Sequence, residues 1–454
     1  MEDIHRKLRA LGIAIPEILL PGAAVDPEKW AVIACDQFTQ NRSYWEAAAA
    51  RVGDAPSTLG MIFPEAYLEE GGRTERIRRI HTVMARSLTA GILTPPRQGC
   101  VYVERATPFH PSRRGLVAAV DLEQYDWAPD SRLLIRSTEG TVPERLPPRM
   151  EIRRGAPLEI PHILILIDDE EDVLLSGFAE RARRKPPVYK TPLMMDSGSV
   201  QGWFLEEEGD WDFLARGLGA LARRAETRYG RRDSRPFLYA VGDGNHSLAA
   251  AKAVWEEYKQ EHRGEGGLSE HPARWALAEL ENIYDPGIGF EPIHRMIFGI
   301  PPAEILRALS GLPGFLSRPV GNRAELSRLA GEREAAKSRL GLIAGRDFTL
   351  IESEAPGLIT ESLQSLLDAL ILSKKAPDRD GPGVSIDYIH GEEELFGLAG
   401  ASPQAAPAVG LLLPPLEKRF LFETVAHAGP LPRKSFSLGE AAEKRFYFEC
   451  RKLF

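Results

Sequence analysis

Residues 241–247 read Val-Gly-Asp-Gly-Asn-His-Ser, between the apolar run 237–241 and an alanine-rich stretch that continues to Glu261. The order predicts a strand, a glycine turn and a helix beginning near Ser247. Such a junction brings several free backbone N–H groups to one point, and the helix dipole makes that point favourable for phosphate or carboxylate. Gly242 and Gly244 let a ligand approach the backbone closely. Asp243 has the chemistry to hold a divalent metal or accept a proton, and His246 to donate to a phosphate oxygen or shuttle a proton. A plain helix cap needs only one of Asn245 and Ser247, whereas here Asp, Asn, His and Ser stand together. The turn lacks the Lys of a Walker loop and the third glycine of the Gly-x-Gly-x-x-Gly dinucleotide turn.

The chain around this turn has 454 residues, 43% hydrophobic and 27% charged, enough for two or three domains. Its formal net charge of −8 provides no global basic field for nucleic acid or an anionic membrane. Cys35, Cys100 and Cys450 are widely separated and form no metal-finger spacing, so neither structural zinc nor a disulfide framework is expected. The apolar run 13–20 is broken by Pro16 and lacks a signal-peptide cleavage pattern, and the run 160–167 is only strand length. The expectation is a cytoplasmic protein that spans no membrane and acts on a small molecule; oligomeric state is not encoded in any pattern.

Strands are expected at 28–36, 99–105, 115–121, 160–168 and 236–241, with a strand pair within 186–201. Helices are expected at 43–51, 73–90, 170–184 and 210–229. The segment 133–154 is dense in polar and small residues between buried strands, which points to a functional loop. Stretch 376–383 reads as a charged Pro/Gly loop, and strands recur at 384–389, 410–414 and 446–453. The fold class is therefore α+β with a mixed sheet core. The expected division is a main domain over 1–300 carrying the glycine turn, a helix-rich α/β unit over 301–400, and C-terminal strands over 401–454 returning to the main domain.

Several residues are candidate companions of the turn. Asp36 follows an apolar run and is placed as a base or metal ligand, or as the cap of the next helix. Glu139 lies between Arg136 and Arg149, where cations would keep it ionised, for substrate orientation or for locking the loop. Arg149 follows two prolines and could grip phosphate or carboxylate with two prongs. His294 and Arg295 alternate along an expected strand, so one is expected in the site and the other on the surface. Lys434, among prolines, is a phosphate contact or a surface lysine. No Gly-x-Ser-x-Gly elbow or His-Glu-x-x-His helix is present.

The segment 242–251 resembles the Asp-Gly-His/Asn-His signature of the domain-of-unknown-function 1015 family. The likeness continues through Ala34-Cys35-Asp36-Gln37-Phe38-Thr39, Arg136-Ser137-Thr138-Glu139-Gly140-Thr141 and Leu146-Pro147-Pro148-Arg149. It extends through Phe290-Glu291-Pro292-Ile293-His294-Arg295, Ile386-Asp387-Tyr388-Ile389-His390-Gly391 and Pro432-Arg433-Lys434-Ser435-Phe436. The turn is also similar to the Asp-Gly-His-His-Arg phosphate-binding turn of free-serine kinases with the ParB/sulfiredoxin fold. Here it reads Asp243-Gly244-Asn245-His246-Ser247, so the missing positive charge must come from elsewhere, with Arg149, Arg295 and Lys434 as candidates.

That resemblance implies a ParB/sulfiredoxin-like sheet and phosphoryl transfer from ATP or ADP with Mg²⁺ to the hydroxyl of a small polar metabolite such as free serine. In this expectation Asp36 or Glu139 deprotonates the acceptor and Asp243 binds the metal. Gly242, Gly244, Asn245, Ser247, Arg136, Arg149, His246, His294, Arg295 and Lys434 contact the nucleotide or its phosphates. A phosphate-ester hydrolase and a non-catalytic nucleotide-binding module use the same residues and remain open as alternatives.

Overall fold

The structure is a computed structural model that describes residues 1–230, 235–332, 337–354, 359–374, 384–400 and 407–454. The loop expected at 376–383 lies outside the described residues. The chain divides into two compact units: the first is Met1–Ile288 with Val425–Gly429 and Gly439–Phe454, and the second is Gly289–Thr424 with Pro430–Leu438. No helix among the described residues is long and apolar enough to cross a membrane.

Ten strands form the main sheet of the first unit. In chain order they are β1 (Ile13–Ala14), β2 (Cys100–Ala106), β3 (Arg113–Asp121), β4 (Tyr125–Asp126) and β5 (Ile135–Ser137). The others are β6 (Leu164–Ile167), β7 (Tyr189–Pro192), β8 (Ser199–Leu205), β9 (Tyr239–Asp243) and β10 (Trp275–Asn282). Their order across the sheet is β7-β8-β2-β3-β10-β6-β9-β5-β4, with β1 added beside β3. The pairs β10·β6, β9·β5 and β4·β5 are parallel and the rest antiparallel, so the sheet is mixed. Central strand β6 (Leu-Ile-Leu-Ile) is buried at every position, as expected for a strand covered on both faces.

The helices near the site are α1 (Leu146–Arg153), α2 (Val173–Ala182), α3 (Glu208–Tyr229) and α4 (Asn245–Glu261). Helix α4 buries Leu248, Ala249, Ala250, Ala251, Val254 and Trp255. At about 25 cal/mol per Å², small alanines contribute less each than Trp255, but they let the helix lie close to the sheet.

Three local expectations fail for physical reasons; one is the run 446–453, in which only Arg451–Lys452 is strand and Phe446 and Cys450 form isolated bridges to Ile33 and Leu19. The run 28–36 is not a sheet strand: Pro27–Trp30 is a helical turn capped by Asp26, and only Ile33 forms a bridge, to Phe446. Its backbone partners come from the C-terminal segment, through Ala34 N–H to Arg445 O and Tyr447 N–H to Val32 O. Segment 133–154 is not a loop throughout: it contains β5, a 3₁₀ turn at Pro143–Arg145 and α1, whose first turn accommodates Pro147.

The C-terminal segment is held in the first unit by buried charge. Arg113 makes two bonds to Glu281, at 2.7 and 2.6 Å, and Arg445 bridges Glu279 and Glu449. Tyr189 donates to Glu449 at 2.5 Å, and Arg113 donates to Glu443 O at 3.0 Å. Burial works to raise the Glu279 carboxyl pKa, but the guanidinium groups of Arg445, Arg105 and Arg113 hold it below its ordinary value. These contacts fix the path of residues 443–449, which include Lys444 and Tyr447.

The second unit has a seven-stranded, wholly antiparallel sheet. Its strands are β11 (Phe290–Phe298), β12 (Leu316–Val320), β13 (Ser338–Ala344), β14 (Asp347–Ser353), β15 (Ser385–His390), β16 (Ala408–Leu412) and β17 (Phe436–Leu438). The order is β12-β14-β13-β16-β11-β15, with β17 also on β11. Alternate residues enter separate cores: Ile297, Leu342, Ile351 and Leu411 on one side, Met296, Ile343, Leu350 and Leu412 on the other.

Candidate functional site

At the end of β9 the register with β6 breaks between Val241 and Asp243, and Gly244, at φ +77°, turns the chain into α4. A side chain is disfavoured there by the left-handed backbone and by Ile163, whose Cα would lie 3.2 Å from an added Cβ. The first intrahelical bond of α4 runs from Leu248 N–H to Gly244 O at 3.0 Å. The N–H groups ahead of it therefore have no intrahelical acceptor. Neither Asn245 nor Ser247 is a cap: the cap position is Gly244, and no side chain bonds there. Asn245 is the first helical residue, and its Oδ1 is buried without a partner among the described residues.

The loop after β5 is tied to this turn at both ends. Thr138 Oγ1 donates to Val241 O at 2.6 Å, and Val142 N–H donates to His246 Nε2 at 3.3 Å. Accepting at Nε2 requires the tautomer of His246 that carries its proton on Nδ1. Glu139 is half-buried between these two anchors. On Asp243, Oδ2 faces Lys444 Nζ at 3.3 Å, with the two side chains 20% and 7% exposed.

Beyond the turn a chain of polar contacts begins at Ser247. Its Oγ is 2.8 Å from His162 Nε2, and His162 Nδ1 is 3.1 Å from the Tyr447 hydroxyl. That hydroxyl also accepts Cys35 N–H at 3.0 Å. Cys35 O accepts Glu65 N–H at 2.7 Å, and Glu65 pairs with Arg149. Arg149 lies on α1, not in a proline-fixed loop, and also donates to Arg145 O at 2.6 Å. Burial raises the pKa of the Glu65 carboxyl; Arg149 opposes that shift and the Asp36 charge adds to it. Burial likewise pushes the Cys35 thiol up, reinforced by Asp36 and Glu65. The thiolate form of Cys35 is therefore disfavoured.

Asp36 accepts Gln37 Nε2 at 3.0 Å in the turn after Cys35, and the next helix is capped by Asn41 instead. The Arg136 head group donates to Leu133 O at 3.1 Å and stacks over Phe237, 4.8 Å from the ring centroid. His294, Arg295 and Lys434 belong to the second unit. His294 and Arg295 are both buried, so neither is on the surface as strand alternation suggested. His294 Nδ1 accepts Leu413 N–H at 3.1 Å, while Arg295 bonds Gln364 at 3.0 Å and lies over the Tyr388 ring. Lys434 is exposed, with φ +61°.

Four participants escaped sequence reasoning: Glu65, His162, Lys444 and Tyr447. His162 was hidden inside an apolar run, and its only local signal was a titratable residue just after Pro161. Tyr447 lies in the run 446–453, which reads as an ordinary strand, and Lys444 stands just before that run.

A resident divalent cation does not fit this donor set. Among the described residues no three His, Cys, Asp or Glu groups come together to hold one, and Asp243 already faces an ammonium. A Mg²⁺ ion in such a site would arrive on a substrate's phosphates, with one carboxylate as its protein ligand.

The family model described as "Protein of unknown function (DUF1015)" matches residues 19–370. No curated protein matches the chain. Among solved structures it is similar to a free serine kinase in complex with AMP, at 12% identity, covering 74% of this chain and 92% of that one, with TM-score 0.36. A conserved hypothetical protein from Pyrococcus furiosus matches at 12% identity, 74% and 95% coverage and TM-score 0.34. SbnI from Staphylococcus aureus, with a C-terminal truncation, matches at 11% identity, 71% and 82% coverage and TM-score 0.35.

Proposed function

The chain belongs to the family of proteins of unknown function DUF1015, and for this member we propose nucleotide-dependent phosphoryl transfer at the amino end of α4. The observation that carries this reading is the charge arrangement at the turn. The first-turn N–H groups, which have no acceptor within the helix, stand beside Asp243 and the largely buried Lys444 ammonium. A helix end favours an anion, and phosphoryl transfer needs mainly positioning and neutralisation of charge. Lys444 is the cation that the turn itself lacks, in place of Lys434 or Arg295.

In this reading the N–H groups of the turn and Lys444 hold the phosphates of ATP or ADP. Mg²⁺, carried by those phosphates as part of the substrate, would neutralise their charge. His246 contacts the phosphates, and Asp36 and Glu139 are the carboxylates proposed to meet the acceptor. The acceptor is the hydroxyl of a small polar metabolite such as free serine, a choice resting on the resemblance of the turn.

The test is incubation with ATP or ADP, Mg²⁺ and a mixture of free amino acids. A phosphorylated amino acid is the expected result. Hydrolysis independent of acceptor would make the protein a phosphate-ester hydrolase, and saturable binding without turnover a binding module. Unchanged nucleotide binding and turnover in both Asp243→Ala and His246→Ala would remove the site assignment itself.

A further inference from the structure

The polar chain at the start of α4 has a use that anion binding leaves unexplained. Ser247 is the third helical residue, half-buried, and its hydroxyl is directed at the ring of His162 rather than at the helix end. His162 comes from the opposite strand connection, just before β6, and is oriented in turn by Tyr447 from the C-terminal segment. The two rings meet edge to face, with centroids 5.7 Å apart at 78°. A hydroxyl, a histidine within hydrogen-bond reach and a third group orienting that histidine form the arrangement that activates a nucleophile. A phosphate-binding serine needs neither of the other two.

The proton inventory agrees. The Tyr447 oxygen accepts Cys35 N–H, and its own hydroxyl hydrogen can turn to the Cys35 sulfur, with which it also interacts. The oxygen can then accept His162 Nδ1–H, leaving Nε2 as the acceptor for the Ser247 hydroxyl. Asn245, two residues before Ser247, adds a buried carboxamide oxygen that has no partner among the described residues.

We propose that Ser247 is a nucleophile activated by His162, with Tyr447 as the positioning residue, and that phosphoryl transfer proceeds through a phosphoserine. Only the identity of the donor rests on the function proposed above. In the first step Ser247 Oγ attacks the terminal phosphorus of the bound nucleotide. The Oγ–P bond forms, the P–O bond to the nucleotide breaks, and the Ser247 proton moves to His162 Nε2. In the second step the acceptor hydroxyl attacks the phosphoserine, its proton passes to water, and His162 returns its proton to Ser247 Oγ as the Oγ–P bond breaks. The nearby N–H groups of the first turn stabilise the charge on the transferring group in both steps.

A phosphorofluoridate such as diisopropyl fluorophosphate tests the nucleophile without any nucleotide. Its P–F bond breaks, fluoride leaves, and an activated serine keeps the phosphoryl group. Peptide mass spectrometry of the intact, unmutated protein should place one adduct on Ser247. His162→Gln should slow labelling about a hundredfold or more, the usual scale of a lost general base. Tyr447→Phe should slow it about tenfold and move the pH midpoint of the labelling rate, which a purely structural tyrosine would not do. No adduct in the unmutated protein, an adduct elsewhere, or an unchanged rate in His162→Gln would each overturn the inference. ADP binding by calorimetry is read in parallel. Labelling without ADP binding removes the nucleotide reading and keeps the nucleophile, while ADP binding without labelling does the reverse.

Discussion

The Lys444 ammonium stands 3.3 Å from the carboxylate of Asp243, joining the C-terminal segment to the glycine turn within the first unit. Lys444 is only 5% exposed, and its backbone oxygen is held by Arg105 at 2.6 Å. Its position is thus imposed by a buried arginine and does not depend on the exposed rim of the site.

Replacing Lys444 by Met should weaken ADP binding about ten- to a hundredfold, the scale of one lost charge-assisted contact. Lys444→Arg should retain more of the affinity. Calorimetric titration of both variants decides the matter. Equal affinity in the unmutated protein and Lys444→Met would reduce Lys444 to a structural partner of Asp243.

Gly244→Ala should abolish binding at the turn more than it unfolds the protein. The left-handed conformation alone costs about 1–2 kcal/mol for a residue with a Cβ. The approach to Ile163 adds to that cost because the nearest atom includes backbone. The expected outcome is a melting temperature lower by a few degrees together with loss of ADP binding. Binding that survives at full strength would contradict the role of this turn.

Arg445→Met should be far more damaging than a surface change. It removes the cation between Glu279 and Glu449, whose side chains are 6% and 0% exposed. Stranding a buried charge typically costs about 3–5 kcal/mol. Chemical denaturation should show that loss, with an unchanged slope if folding remains cooperative. A loss below about 1 kcal/mol would show that the network is dispensable.

Acid should weaken the second unit through His294. Burial pushes its pKa down from 6.5 to about 4, with Arg295 and His390 adding to the shift. Below pH 6.5 the unfolded chain takes up a proton that the folded unit refuses. The stability contribution is therefore complete above pH 6.5 and is lost as pH falls toward 4, amounting to about 3 kcal/mol. His294→Asn, which can offer an oxygen to Leu413 N–H, should flatten that slope in melts between pH 7 and 4. An identical slope in the variant would assign the acid sensitivity elsewhere.

The legibility of the site followed the range of the interactions. Strand β9, the turn and α4 were readable because apolar periodicity and glycine placement act over a few residues. The hairpin of β7 and β8 was readable for the same reason. The run around residue 33 misled because its length and apolarity suit a strand, while its actual partner is a segment near residue 446. Arg136 was legible as a cation near the turn, but its carbonyl and ring partners, Leu133 O and Phe237, were not.

The sequence by itself determined the glycine turn, the mixed α+β character and family membership, since these depend on local backbone chemistry or on motifs in order. Only the tertiary structure decided which groups surround the turn. His162 and Lys444 reach it directly, and Tyr447 and Glu65 through them and Cys35, by way of a returning C-terminal segment and buried ion pairs. Those contacts join residues up to 412 positions apart, and no spacing along the chain encodes them. The physical reason is that a hydrogen bond or an ion pair depends on distance in space, which the hydrophobic packing of the first unit sets only after the whole segment has returned.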